Sequence, residues 1–276
     1  MKLNKFLIHL LAIAIASMTL IPFLWMISAS FMPQGGANQF PPRFIPDSFS
    51  LEHYIRLFKS MNILRYFFNS LVLSVSITGL SLLVNSMAGF AFAKFHFPGK
   101  ESLFKLLLAA MIIPAQVTML PLFLMMNQMG LINSYLGVII PGMASIFGIF
   151  LIRQYINSLP DSLIEAARLD GASDFKIYWH IVLPLAKPIL VTLGLFTFMG
   201  TWNDFMWPLI IMTRENMYTL PVAMANLSGE HAQDTELMMA GAVLTVLPVI
   251  LVFLTLQRFY IRASCWVVLK SSIKFS

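Results

Sequence analysis

The stretch "EAARLDGASDFKIYWHIVLP", residues 165–184, is mostly polar and lies between apolar runs in a strongly apolar chain. Just before it, Ser162-Leu163-Ile164-Glu165 has the Ser-x-x-Glu spacing of a capping box, which predicts a helix that begins at Ser162. Gly171 suits the left-handed conformation that ends a helix, and Ser173 or Asp174 can cap a second one. The sequence therefore predicts two short helices separated by a bend.

The first of these predicted helices carries small side chains. Ala166, Ala167 and Gly171 would let another protein approach the backbone closely. Charged residues surround them, namely Glu165, Arg168, Asp170 and Lys176. This pattern is typical of a surface that docks a soluble partner, and it fits a solvated loop with a satisfied helix cap equally well. The residues alone leave both interpretations open.

The composition of the whole chain indicates a membrane protein. Of its 276 residues, 58% are hydrophobic and 11% are charged, whereas soluble domains carry about 25% charged residues. Six apolar runs are long enough to cross a bilayer, at about 7–31, 68–93, 103–126, 131–152, 185–212 and 238–260. Because lipid offers no partners to backbone N–H and C=O groups, each run should be helical. We therefore expect an all-α polytopic membrane protein, with six transmembrane helices in one domain covering residues 1–276.

Basic residues predict the orientation of these spans. Of the 18 Lys and Arg residues, five fall in the segments we expect outside, namely Arg43, Arg56, Lys59, Arg65 and Arg214. The others fall in the segments we expect in the cytoplasm, as the positive-inside tendency requires when both termini are cytoplasmic. The loop at 153–184 is then internal, and the segment at 32–66 is external, with a short helix near Leu51 to Lys59. Ala14-Ile15-Ala16 resembles a signal-peptidase site, but apolar residues continue to Phe31, so we interpret the first run as a retained anchor.

The internal loop also carries a specific family signature. Glu165-Ala166-Ala167, Gly171, Ile181 and Leu183-Pro184 match the pattern EAA-x3-G-x9-I-x-LP at every defined position. In these residues the chain resembles the permease subunits of ABC importers. Further stretches resemble the carbohydrate-uptake branch of that family, of the maltose permease G-subunit type, at 91–100, 130–137 and 202–209.

The resemblance implies a permease subunit of a binding-protein-dependent importer for a sugar or sugar-like solute, in the bacterial inner membrane. The solute class covers oligosaccharides, monosaccharides, polyols and glycerol phosphates. The implied partners are a cytoplasmic ATPase dimer that binds the ATP, a second permease subunit and an extracytoplasmic solute-binding protein. The chain itself is expected to hold no cofactor.

In that family the signature marks the coupling helix, which sits in a cleft of the ATPase. The resemblance therefore assigns residues 161–184 to coupling, with contact residues Glu165, Ala166, Ala167, Asp170 and Gly171. After Ile261 the chain departs from the family's Gly-rich tail, so we transfer no role to residues 262–276.

Polar residues within the spans are candidates for a solute path, namely Asn85, Gln116, Asn203 and Asp204. An ionised carboxylate at the bilayer centre costs about 2.5 to 3.5 kcal/mol, so Asp204 should face protein or a water-filled path. Trp202 and Trp207 beside it offer ring faces that suit sugars. The alternative is structural, because Asn203 and Asp204 can bond helix to helix or cap a break before Pro208. Gln116 lies between two prolines that predict a kink, and Asn85 lies among small residues typical of close helix packing.

Other function classes find little support in the sequence. It contains no HExxH or GxSxG motif and no paired intramembrane carboxylates, so we expect neither an enzyme nor a metal site. It also lacks a GxxxxGK[ST] phosphate loop, so the energy for transport must come from a partner. The net charge of +6 is ordinary for a membrane protein and does not indicate nucleic acid. An ion-coupled secondary transporter is the alternative, and it would predict more ionisable residues inside the bundle and two related halves.

Overall fold

The computed structural model describes residues 2–41, 43–230 and 234–273, and every regular element in these ranges is helical. In chain order the helices are α1 (Lys2–Ala29), α2 (Glu52–Ser60), α3 (Ile63–Lys94), α4 (Lys100–Ala110), α5 (Ala115–Gln128), α6 (Tyr135–Gly142), α7 (Ile146–Asn157), α8 (Asp161–Leu169), α9 (Asp174–Ile177), α10 (Leu183–Leu185), α11 (Lys187–Trp202), α12 (Met206–Ile211), α13 (Leu220–Glu230) and α14 (Thr235–Ile273). A π-helical turn, Tyr178–Val182, joins α9 to α10, and a 3-10 turn, Glu215–Met217, follows α12. The predicted all-α fold is confirmed. The divergent tail at 262–276 lies outside the residues whose side chains the structure describes.

Four helical segments are long and apolar enough to cross a membrane without a sharp bend, namely Leu7–Ala29, Ile63–Lys94, Tyr135–Asn157 and Thr235–Thr255. Two further pairs of helices each qualify as one bent span, α4 with α5 and Asp174–Leu185 with α11. The described residues thus provide four to six spans, and each of the six apolar runs in the sequence overlaps one of these segments. In the first span the most apolar window is not buried against the rest of the chain.

The third apolar run is broken rather than continuous. Helix α4 ends at Ala110, α5 begins at Ala115, and the two axes differ by 102°. Pro114 precedes α5 in an extended conformation, with φ −60° and ψ 135°. A proline there cannot donate a backbone hydrogen bond and clashes with the preceding turn, which ends one helix and permits the start of the next. The kink expected from the prolines is therefore a full break at Pro114.

The fourth and fifth runs also differ from single straight helices. The fourth is interrupted between α6 and α7, where the Ser145 hydroxyl accepts a hydrogen bond of 3.0 Å from the Gly148 N–H and begins α7. The fifth, predicted at 185–212, is divided into α11 and α12 by a break at 203–205. Before α11, the segment Asp174–Leu185 joins it at an angle of 79°. Capping side chains and prolines account for these interruptions.

The contacts divide the chain into two compact units, and the first draws on residues 1–67 and 220–248. It contains α2, which confirms the short helix predicted near Leu51 to Lys59. The buried His53 ring lies 3.0 Å from the Met32 carbonyl, and Arg56 donates to the Asp234 carboxylate at 2.8 Å. These bonds fix the segment after α1 to the residues that precede α14.

The second unit draws on residues 68–219 and 249–276 and contains the signature loop. Its apolar core has two clusters of buried side chains. One is built around Phe90, Ile152 and Ile156, and the other around Leu73, Val138 and Ile211. The first cluster receives side chains from the signature loop, which positions that loop against α3 and α7.

Candidate functional site

The first helix of the signature loop begins one residue earlier than predicted. Pro160, with φ −59° and ψ 131°, precedes α8, and the first helical residue is Asp161. The capping box predicted at Ser162 is therefore wrong, because the fixed backbone of Pro160 already sets the start of the helix and removes one N–H that would need a cap. The sequence signal for a helix start was correct to within one residue.

The end of α8 confirms the predicted role of Gly171. This glycine adopts φ +79°, a left-handed conformation that other residues rarely take. The Asp170 N–H donates to the Ala166 carbonyl at 3.0 Å, and the Ala172 N–H donates to the Ala167 carbonyl at 3.0 Å. Bonds of this kind satisfy the last carbonyls of a helix and reverse the chain direction tightly.

The second helix of the loop is capped as the sequence predicted. The Ser173 hydroxyl accepts a hydrogen bond from the Lys176 N–H at 3.4 Å, and α9 begins at Asp174. The helix then widens into the π-helical turn Tyr178–Val182 before α10. The prediction of two short helices with a bend at Gly171 is confirmed.

One face of the loop is buried in the bundle. Ile164 of α8 and Ile177 and Val182 of the second helix pack with Phe90 and Ile152. Burial of side chains of this size stabilises the arrangement by about 1.5 to 3 kcal/mol each relative to exposure. The loop is therefore held firmly against α3 and α7.

The opposite face of the loop is open. The signature residues Glu165, Ala166, Asp170 and Gly171 are exposed, and Ala167 is half-buried. Two large apolar side chains extend beside them, since Leu169 is 89% exposed and Phe175 is 67% exposed. Exposed apolar side chains that are surrounded by charged residues are typical of a surface that binds another protein. Four of the five proposed coupling residues are therefore exposed in the structure.

Two polar links join this loop to α3, and sequence reasoning missed both. The hydroxyls of Tyr178 and Ser86 lie 2.7 Å apart in a buried hydrogen bond. Lys94 donates to the Leu159 carbonyl at 2.8 Å and to the Asp161 carboxylate at 2.5 Å. The hydrogen bond and charge of Lys94 hold the pKa of Asp161 below its usual value. In the sequence, Lys94 appears only as a basic residue at the end of an apolar run. That position indicates the orientation of the span but not the ion pair with Asp161.

The proposed path residues lie at three separate places, in α3, in α5 and at the break between α11 and α12. Within the part of the chain that the structure describes, no hydrogen bond joins any two of these places. Asn85 is fully buried in α3, where its amide donates to the Ser81 hydroxyl at 2.7 Å and accepts from the Ser145 N–H at 3.0 Å. These contacts favour a packing role between α3 and the start of α7. Gln116 is exposed in the first turn of α5.

Asn203 and Asp204 lie at the break between α11 and α12. The Asn203 amide donates to the Met199 carbonyl at 2.8 Å, and the Asp204 carboxylate accepts from the Trp207 N–H at 3.5 Å. Trp202 is fully buried, and the Trp207 indole donates to the Gly137 carbonyl at 3.1 Å. The contacts thus favour the structural interpretation, in which the polar pair caps the break and the indole rings pack against protein.

Substitution of Asp204 separates the two interpretations. We expect Asp204→Ala to lower the free energy of unfolding by about 0.5 to 2 kcal/mol, because it removes the acceptor for the first turn of α12. Asp204→Asn should retain that stability, since asparagine caps a helix about as well as aspartate. Thermal unfolding of the purified subunits measures both effects. Altered transport by a well-folded Asp204→Asn variant would support a place on the solute path. Loss of folded protein in Asp204→Ala, with normal folding and transport in Asp204→Asn, would support the structural role.

Among the residues that the structure describes, no group of three or more His, Cys, Asp or Glu side chains is placed to hold a metal ion. The features that the structure shows in this loop are an open surface and its packed and hydrogen-bonded contacts with α3 and α7.

Comparison with known proteins finds a matching family and several relatives. Residues 85–263 match the family described as the binding-protein-dependent transport system inner membrane component. The chain is 35% identical over 250 residues to the arabinooligosaccharides transport system permease protein AraQ of Halalkalibacterium halodurans, covering 90% of each chain. It is 32% identical over 254 residues to the diacetylchitobiose uptake system permease protein NgcG of Streptomyces coelicolor, covering 91% of this chain and 84% of that one.

The fold is also similar to that of a solved structure. A chain of a bacterial ABC transporter involved in the import of the acidic polysaccharide alginate superposes with a TM-score of 0.83 and 25% sequence identity. The match covers 94% of this chain and 97% of the other. The likeness therefore extends over nearly the whole fold.

Proposed function

Because the chain belongs to the family of binding-protein-dependent transport system inner membrane components, we propose that its loop at 161–184 is the element through which an ATPase drives transport. The chain is a multi-pass membrane permease subunit of an ABC importer for a sugar or sugar-like solute. The energy comes from ATP hydrolysis in a partner subunit.

The observation that carries this proposal is the two-sided packing of the loop. Its buried face, with Ile164 and Ile177, is locked into the core cluster around Phe90. Its open face presents Glu165 and Leu169. A protein that pushes or pulls the open face must therefore displace the helices behind it, since packed cores move as units rather than deform continuously.

The mechanism we propose is alternating access. A solute-loaded binding protein docks on the outer side, and closure of the ATPase dimer moves the loop at 161–184. The buried face of the loop carries this movement into α3 and α7, which rearranges the bundle around a solute path. Both termini lie in the cytoplasm in this scheme, as the distribution of basic residues indicates.

A second permease subunit completes the assembly in our proposal. The apolar surface of α1 is compatible with it, since residues such as Leu11 and Met18 are 61% and 77% exposed. Lipid and a neighbouring subunit are the two environments that accept such a surface. Two relatives are named for the uptake of arabinooligosaccharides and diacetylchitobiose, and this supports an oligosaccharide as the solute.

Crosslinking tests the coupling role. We expect a single cysteine at Ala167, in a background where Cys265 is replaced by serine, to crosslink in native membranes to a peripheral ATPase that mass spectrometry identifies. A cysteine at the exposed Ser102, outside the loop, is the control for nonspecific capture. If the Ala167 cysteine captures no ATPase while reagents label it normally, the loop is not the docking element.

A further inference from the structure

The ammonium group at the end of α3 is buried. Lys94 is the last residue of that helix, and its side chain is only 6% exposed. A lysine is almost never buried to this extent unless it is paired, because removing a charge from water is costly. Its Nζ atom donates to the Leu159 carbonyl at 2.8 Å and to the Asp161 carboxylate at 2.5 Å. Both acceptors belong to the segment that enters α8.

The Asp161 carboxylate occupies the first position of α8. A negative charge there is favoured by the partial positive charge of the helix N-terminus, which adds to the attraction of Lys94. An aspartate carboxylate is ionised at neutral pH, and the hydrogen bond and charge of Lys94 lower the pKa of Asp161 further. The start of α8 is thereby tied to one fixed point on α3.

This contact differs in kind from the apolar contact that α8 makes nearby. Ile164 packs against Phe90 and Ile152 through hydrocarbon surface, which is attractive without fixing a direction. The hydrogen bonds of Lys94 add directional, charge-assisted contacts to this apolar packing. They join the first turn of α8 directly to the end of α3.

We propose that Lys94 is a positioning residue that fixes the start of α8 to the end of α3, so that a displacement of α8 reaches the second span as a directed movement. This inference rests on the proposed coupling function of the loop. In this role Lys94 need not touch the ATPase or the solute.

A second ion pair nearby provides a matched control. Arg153 donates to the Glu101 carboxylate at 2.8 Å, and its side chain is 13% exposed. Glu101 is 61% exposed, comparable with 73% for Asp161. The Glu101 pair links α4 to α7 and includes no residue of the signature loop. Its loss therefore measures the effect of removing an ion pair without disturbing α8.

The test measures movement of α3 in the complete transporter. Met87 lies on α3 and is 45% exposed, so a bimane fluorophore on Met87→Cys, in the Cys265→Ser background, reports its surroundings. The complex with its ATPase and binding protein is placed in nanodiscs, and bimane emission is recorded before and after ATP with vanadate. ATP hydrolysis is measured in the same samples.

We expect Lys94→Met to reduce the emission response by about 2-fold to 30-fold while ATP hydrolysis continues. Asp161→Asn should reduce it in the same direction, and this exposed substitution keeps the test informative if Lys94→Met fails to fold. Lys94→Arg should restore most of the response, because it retains the charge and the donors. Glu101→Gln should leave the response unchanged.

The outcomes distinguish this inference from the proposed function. An unchanged emission response in both Lys94→Met and Asp161→Asn would overturn the role of Lys94, as would a wild-type complex whose Met87 probe does not respond to ATP with vanadate. If the Ala167 cysteine fails to crosslink to the ATPase in the wild-type background, the coupling function of the loop is wrong. Reduced responses together with intact crosslinking would support both.

Discussion

Replacement of Gly171 by valine should leave the transporter assembled but separate ATP hydrolysis from uptake. A β-carbon at this position would meet no atom within 4 Å beyond its chain neighbours, but the backbone has φ +79°. A non-glycine residue in this region costs about 1 to 2 kcal/mol, and a β-branched one is especially unfavourable. The chain is expected to relieve this strain by changing the bend between α8 and α9, which displaces the surface formed by Ala166 and Ala167.

The measurement is the ratio of solute taken up to ATP hydrolysed in proteoliposomes. We expect that ratio to fall by about 2-fold to 30-fold in Gly171→Val, the range that coupling mutations commonly produce. The amount of assembled complex should stay near that of the wild type, because the strain is local and exposed to solvent.

The fold offers a closely matched control at Gly130. This glycine follows α5 with φ +69°, and a side chain there also meets no atom within 4 Å. It ends its helix with the same pattern of bonds, since the Leu131 N–H donates to the Met126 carbonyl at 2.9 Å as Ala172 does to Ala167. Gly130→Val therefore carries the same backbone strain outside the signature loop. Normal coupling in Gly171→Val, or equal losses in both variants, would contradict a specific role for Gly171.

Local chemistry explains what the sequence could predict about this loop. Gly171 and Ser173 act through their own backbone or that of residues three positions away, so their roles follow from residue type alone. The membrane spans were likewise predictable, because a bilayer requires long apolar runs wherever the chain crosses it. Both signals depend on residues that are neighbours in sequence.

Contacts between distant residues explain what the sequence could not predict. Lys94 and Asp161 are 67 positions apart, and their pairing appears only when α3 and α8 are placed side by side. Asn85 and Ser145 are 60 positions apart, and their contact explains why a polar amide lies in an apolar span. From sequence, Asn85 and Asp204 are candidates for a solute path, although packing is already the preferred interpretation for both. Their bonding partners support packing, and the sequence could not identify those partners because contacts across helices leave no periodic pattern.

The second large effect is expected at Gly89, where α3 and α7 approach each other closely. Gly89 is buried in α3, and a β-carbon there would lie 2.7 Å from Ile152 Cγ2 and 3.1 Å from the Arg153 backbone nitrogen. Both distances are shorter than ordinary van der Waals contact, and one neighbour is backbone that cannot rotate away. We therefore expect Gly89→Val to separate α3 from α7 and to destabilise the fold by about 1 to 3 kcal/mol or more.

The expected result is loss of most of the monodisperse protein in detergent, measured by fluorescence-detected size-exclusion chromatography. Gly79→Val is the matched control, because Gly79 lies on the same helix and a side chain there meets no atom within 4 Å. It should retain the wild-type elution profile. Combining Gly89→Val with Ile152→Ala should recover part of the folded protein, since the smaller side chain removes the nearest clash while the Arg153 backbone remains close. A wild-type elution profile for Gly89→Val alone would show that α3 and α7 are not packed as closely as this structure places them. The packing of the core that supports the signature loop would then differ from the one described.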